Sequence, residues 1–345
     1  MSVRKLYLDR GIGESRGVVT LDGAPERLLI LRDNDPELTR LGARLVGRVR
    51  KVEPAFASAF IDLGGVEALM AFRPEARPVE GQAIEVEVRS EPRDGKLATV
   101  RLVGPAEGKP RLMTAAPDLA EQLASFARDT AIIEGRAARA MADAAEAEAL
   151  ETIHPLAGGG TLAIEPTRAL VAIDVDVGER KGQDVKRVTR QANLTALAES
   201  ARLLRLKGLG GIVVIDLVGR GHDGNALLTA ARTAFSPDNP GVAIGPVGRF
   251  GTMEMTVPRR GRAIRDILGD GAGGLSDLTL ALRLIRRLEA DASSDPGGRL
   301  AATCAPSVAA VAKPHAEALA ARIGARFVIE ANPDWPRDRL DVKTL

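Results

Sequence analysis

Ala172-Ile173-Asp174-Val175-Asp176-Val177 and Gly211-Ile212-Val213-Val214-Ile215-Asp216 are the stretches that decide the architecture of this chain. Both are short apolar runs rich in β-branched residues, the composition of strands buried on at least one face. Between them, residues 184–206 carry helical spacing and end at the glycine-rich Lys207-Gly208-Leu209-Gly210-Gly211. A strand, a helical crossover and a second strand predict a parallel, neighbouring pair. Side chains at i and i+2 of a strand share a face, so Asp174 and Asp176 stand side by side. Asp216 ends the second strand, so three carboxylates are expected to converge at the carboxyl edge of one sheet. Such close like charges repel unless a cation lies between them. Hard oxygen donors with retained waters are what Mg²⁺ prefers, and that ion can acidify a bound water and steady charge on a phosphoryl group. The alternative for each aspartate is a helix cap or an arginine partner.

Outward from this core, an α/β rhythm runs from residue 158 to 275, and residues 276–345 read as a small α+β unit of alternating helices and strands. On the other side, residues 105–157 read as a linker and an Ala-rich helical region closed by Gly158-Gly159-Gly160. Residues 38–104 hold five strand-length pieces with short turns, which predicts a small barrel of the oligonucleotide-binding (OB) type. Residues 1–37 read as β-hairpin material. The fold class expected is multi-domain α+β.

Composition narrows the function. The 345 residues are 45% hydrophobic and 27% charged, ordinary globular usage. Their single cysteine, Cys304, excludes a disulfide framework and a cysteine-based zinc cluster within one chain. The three histidines show no metal-ligand spacing, so metal chemistry rests on carboxylates. No apolar run reaches a membrane span, and the first residues lack a signal-peptide core, so a cytoplasmic protein with no membrane partner is expected. A net charge of +2 and 3% aromatics argue at first sight against a nucleic-acid binder.

Local features point the other way. Phe60, in Ser58-Ala59-Phe60-Ile61-Asp62, is expected on the barrel surface, with Lys96 and other cations near it, where rings and charges bind single strands. Phe56 and Phe72 are read as barrel core or left unassigned. Arg259, Arg260 and Arg262 form the densest basic run, able to receive a phosphate backbone or simply to be a solvated loop. Gly219-Arg220-Gly221-His222-Asp223-Gly224 fits a dinucleotide fingerprint, but Asp216 just before it would face an anionic pyrophosphate. A glycine-rich loop is the simpler reading. Cys304 reads as a small buried hydrophobe.

Taken in order, these stretches resemble the catalytic half of the ribonuclease E/G family. Residues 47–65, GRVRKVEPAFASAFIDLGG, are similar to its S1 RNA-binding domain. The block from Gly159 to Leu217 resembles its catalytic signature, and GRFGTMEMTVPR resembles the motif closing the catalytic subdomain. The resemblance implies an S1 barrel inserted in an α/β core whose catalytic subdomain is deoxyribonuclease I-like. It implies Mg²⁺ on Asp174 and Asp216, cutting single-stranded RNA to leave 5′-phosphates. Asp176 falls where the family carries Asn. The S1 aromatic and lysine fall on Phe60 and Lys96, and a second aromatic position falls near Leu69. Gly241 stands where the family's 5′-end-sensing Arg is expected, so 5′-monophosphate sensing is expected to be lost. The cysteines of a zinc-linked dimer are missing. Two other readings stay open: a non-catalytic RNA-binding protein of the same fold, and a nucleotide-binding oxidoreductase resting on Gly219–Gly224 alone.

Overall fold

The computed structural model describes residues 3–93, 95–178, 184–219, 221 and 223–345. The chain opens with β1 (Arg4–Arg10), β2 (Glu14–Leu21) and β3 (Ala24–Arg32), an antiparallel meander. Alternation along β2 divides its side chains. Val18 joins Leu28 and Ile30 in the main core, while Val19 turns the other way to meet Leu6 and Leu8.

The barrel follows: β4 (Arg44–Glu53), β5 (Ser58–Asp62), β6 (Glu67–Ala71), β7 (Ala83–Ser90) and β8 (Ala98–Pro105). They pair in the order β5-β6-β8-β7-β4, and β4 closes on β5. The parallel β6–β8 contact among otherwise antiparallel neighbours gives the OB-type barrel expected from the sequence. Its interior is aliphatic: Leu45, Ile61, Met70, Ile84 and Val86 are buried. Inside the stretch read as a linker, β9 (Arg111–Thr114) adds to the barrel by pairing with β4.

Next, α1 (Leu119–Phe126) seats Leu119 and Leu123 on the outer face of the first sheet, capped by a reciprocal Asp118–Glu121 box. A two-residue strand, β10 (Ile132–Ile133), pairs parallel with β1. The Ala-rich segment is α2 (Arg136–Leu150), whose Ala142, Ala145 and Ala149 enter the main core. Small side chains at this spacing let the helix approach its neighbours closely.

The six-stranded sheet comprises β11 (Ile153–Pro155), β12 (Thr161–Pro166), β13 (Val171–Asp176), β14 (Gly211–Asp216), β15 (Ala243–Val247) and β16 (Thr252–Val257). Their order is β11-β12-β13-β14-β16-β15, with β13 and β14 parallel as the crossover predicts. The crossover is α3 (Val185–Lys207), and α4 (Gly224–Phe235) follows β14. Leu197, Leu204, Leu227 and Phe235 from these helices cover one face of the sheet. Past α5 (Ile264–Leu268), the C-terminal unit packs α6 (Asp277–Ser294), β17 (Leu300–Cys304), α7 (Pro306–Ala312), α8 (Ala316–Ile323), β18 (Phe327–Ala331) and β19 (Asp341–Thr344) around its own core. Cys304 lies in that core, and burial pushes its thiol pKa up. No helix among the described residues is long and apolar enough to cross a membrane.

Buried charge joins the first sheet to α2 and α6. Arg16 binds Asp9 at 2.6 Å and Glu146 at 2.9 Å. Arg286 binds Glu14 at 2.8 Å and reaches Glu146 at 3.4 Å, and Arg32 binds Glu14 at 2.9 Å. Burial disfavours ionised Glu146, but the guanidinium groups of Arg286, Arg283 and Arg16 outweigh it and hold the carboxyl below its ordinary range.

Candidate active site

Strand alternation builds the site. Val171, Ile173 and Val175 of β13 and Val213 and Ile215 of β14 turn into the helical layer. Asp174, Asp176 and Asp216 therefore turn to the other, open face, and all three are exposed. In the parallel register Asp174 lies directly opposite Asp216, on strands about 4.8 Å apart. Two other carboxylates share the face. Glu165 is opposite Ala172, and Glu254 is opposite Val214, each one alternation nearer the far end of the strands. Among the described residues neither the Asp174 nor the Asp216 carboxylate has an ion-pair or hydrogen-bond partner.

Asp176 behaves differently. Its Oδ1 accepts the Gly178 N–H at 2.8 Å, an Asx-type turn that ends β13. The expected convergence of three carboxylates is therefore corrected to a register-matched pair with a neighbour. Among the described residues no group of three or more Asp, Glu, His or Cys is placed to hold a metal. Two carboxylates on an open, solvated face still fit Mg²⁺, which binds through one or two carboxylates and keeps several waters.

The end of β14 is held by a residue that the spacing of acids gave no reason to single out. Asn193 of α3 is fully buried. Its Nδ2 donates to the Val218 carbonyl at 3.0 Å, and its Oδ1 accepts the Val218 N–H at 3.1 Å. This two-point clamp sits two residues past Asp216. The only signal for it in the sequence is a polar residue on the apolar stripe of α3.

The glycine motif between β14 and α4 contains Arg220 and His222, which lie outside the described residues. Asp223 caps α4 by accepting the Ala226 N–H at 3.1 Å, as a structural loop would.

On the barrel, Phe60 is half-buried on the outer surface, between Lys51 of β4 and Leu69 of β6. Leu69 thus occupies the adjoining position where a second ring would stack. Lys51 is ion-paired with Glu53. Lys96 is exposed in a turn closed by its N–H on the Arg93 carbonyl at 2.7 Å. Phe72 packs against the barrel core, whereas Phe56 is 79% exposed, because it lies in the turn Pro54–Phe56 rather than on a strand.

The structure does not bring Arg259, Arg260 and Arg262 to the aspartate pair. They follow β16, whose Val257 is opposite Gly211 at the start of β14. Five residues of strand, about 16 Å, separate that end from Asp216. Arg259 donates to the Gly210 carbonyl, Arg260 to those of Asp238 and Pro240, and Arg262 pairs with Asp35 and Glu91. The loop therefore stitches the sheet to the barrel and the first meander. A cavity of about 620 Å³ beside it is lined by arginines such as Arg205 and Arg262 that already face carboxylates.

Comparison with known proteins finds similarity to ribonucleases over this region. The model of the ribonuclease E/G family matches residues 110–260. Ribonuclease E of Haemophilus influenzae is 34% identical over 147 residues, 40% of this chain and 16% of that protein. Ribonuclease E of Escherichia coli is 32% identical over 147 residues, 40% of this chain and 14% of that protein. A chloroplastic ribonuclease E/G-like protein of Arabidopsis thaliana is 36% identical over 110 residues, 30% of this chain and 11% of that protein. The chain thus matches a small part of these relatives' length. The region of the chain that is similar to the ribonuclease E/G family contains both register-paired aspartates and the strands that hold them.

Proposed function

We propose that the protein is a Mg²⁺-dependent endoribonuclease that hydrolyses single-stranded RNA on the open face of the six-stranded sheet, within a subdomain of deoxyribonuclease I-like architecture. The observation that carries this reading is the register pairing of Asp174 with Asp216 on the face that the helices leave uncovered. Five exposed carboxylates on that face, Glu165, Asp174, Asp176, Asp216 and Glu254, repel a polyanion unless a cation intervenes. Asp174 and Asp216 would hold the ion. When bound, it supplies an acidified water and positive charge for the phosphoryl oxygens. Asn193 keeps the Asp216 strand end in place, and Asp176 is held by its own turn beside the pair. The barrel offers Phe60 and Lys96 to a single strand by stacking and phosphate contact. Gly241, lacking a side chain at the expected sensor position, supports cleavage independent of a 5′-monophosphate.

The test is cleavage of a labelled single-stranded RNA, carrying either a 5′-phosphate or a 5′-hydroxyl, in Mg²⁺ and in EDTA. Asp174→Asn and Asp216→Asn are expected to abolish metal-dependent cleavage while RNA binding persists, and the two 5′ ends are expected to be cut at similar rates. Full cleavage by both variants would refute the assignment. Binding by the wild-type protein without any metal-dependent product would favour a non-catalytic RNA-binding protein instead.

A further inference from the structure

The antiparallel pairing of β14 with β16 places Thr252 opposite Asp216. The turn that leads into β16, Gly248-Arg249-Phe250-Gly251, therefore lies at the aspartate end of the sheet. It is firmly held. The Gly251 N–H donates to the Gly248 carbonyl at 3.0 Å, and the Gly248 N–H to the Thr252 carbonyl at 2.8 Å. The Leu217 N–H, immediately after Asp216, donates to the Gly251 carbonyl at 3.2 Å. Gly251 has φ +89°, a conformation that favours glycine.

On this pinned turn Phe250 is 78% exposed. The Arg249 guanidinium lies over its ring, 4.6 Å from the centroid. A phenylalanine left in water forgoes its burial, and a turn anchored on both sides does not let the ring reach the core. An exposed ring with a guanidinium stacked on one face is the combination that holds an unpaired base: a π-face for stacking and a cation for the backbone. The barrel aromatics Phe56 and Phe60 belong to a separate element.

We propose that Phe250, supported by Arg249, is the stacking platform for the nucleobase beside the scissile phosphate, and so sets which phosphodiester bond is presented to Asp174 and Asp216. This rests on the endoribonuclease reading above. An aromatic platform reads a π-face rather than hydrogen-bonding edges, so it acts on single strands and any preference follows stacking strength.

The experiment compares the wild-type protein with Phe250→Ala, Phe250→Trp and Asp174→Asn. Binding to a short fluorescein-labelled single-stranded RNA is measured by anisotropy in EDTA, and cleavage kinetics and product positions in Mg²⁺. Phe250→Ala is expected to weaken binding and raise KM about tenfold, with kcat far above that of Asp174→Asn and with redistributed cleavage positions. Phe250→Trp is expected to restore both affinity and pattern. Unchanged binding, KM and product pattern in Phe250→Ala would overturn the proposal, as would failure of Phe250→Trp to rescue a correctly folded protein. Absence of any metal-dependent product from the wild-type protein would defeat the endoribonuclease reading. The EDTA binding measurement would still decide whether Phe250 holds RNA.

Discussion

Replacing Arg16 with Met tests the buried charge that ties the first sheet to α2 and α6. Arg16 is 1% exposed and faces Asp9 at 2.6 Å, Asp143 at 2.8 Å and Glu146 at 2.9 Å. Met fills much of the same volume, so packing loss is small. Removing one partner of a buried pair usually costs about 3–5 kcal/mol, because the remaining charge is left uncompensated. Here the survivors keep other partners: Glu146 retains Arg283 at 2.8 Å, and Asp9 retains Arg139 at 3.3 Å. The lower end, about 3 kcal/mol, is therefore expected, read as a fall in ΔG of unfolding from urea titration at pH 7. The pH dependence carries its own sign. Arg286, Arg283 and Arg16 together hold the folded-state pKa of Glu146 below 4.5 against the cost of its burial. Its ionised form thus contributes stability above that value, which is lost as pH falls through the folded pKa. Without Arg16 that contribution is smaller, so the gap between wild type and variant should hold down to about pH 4.5 and narrow as pH falls below it. A loss below about 1 kcal/mol, or a gap independent of pH, would refute the reasoning.

Other consequences follow from single residues. Asn193→Ala leaves the Val218 N–H and C=O without their partner, so a loss of about 1–3 kcal/mol in unfolding free energy is expected, together with a fall in kcat larger than any change in KM; unaltered kcat would show that the clamp does not position Asp216. His154 is buried with its Nε2 unpartnered among the described residues, and burial, aided by Lys207, lowers its pKa. Folding thus favours neutral imidazole, and that contribution is present above about pH 6.5 and lost as pH falls toward the folded pKa. The slope it adds is at most about 1.4 kcal/mol per pH unit, and thermal melts of His154→Leu between pH 5 and 7 should show it removed.

The central strands were legible from local pattern. β-branched runs ending in aspartate, split by a helix of crossover length, require two parallel neighbours, and the i, i+2 rule puts their acids on one face. The barrel was legible for the same reason, since five short strands with tight turns close on themselves. The extra barrel strand, Arg111–Thr114, was not, because its four residues carry no periodicity and gain a role only by pairing with β4.

Sequence alone therefore determined the central strands, the barrel and the parallel pair, because these depend on spacing within one strand or one crossover, and the family resemblance singled out Asp174 and Asp216 among the acids as the expected metal holders. Tertiary structure alone decided which groups share their end of the sheet. Register set Asp174 level with Asp216 and left Asp176 to its turn. Antiparallel pairing of β16 sent the arginine run to the far end and brought Arg249 and Phe250 beside Asp216. Strand direction and register are fixed by long-range pairing and burial, so a basic loop and an aspartate pair near in sequence can lie a strand's length apart.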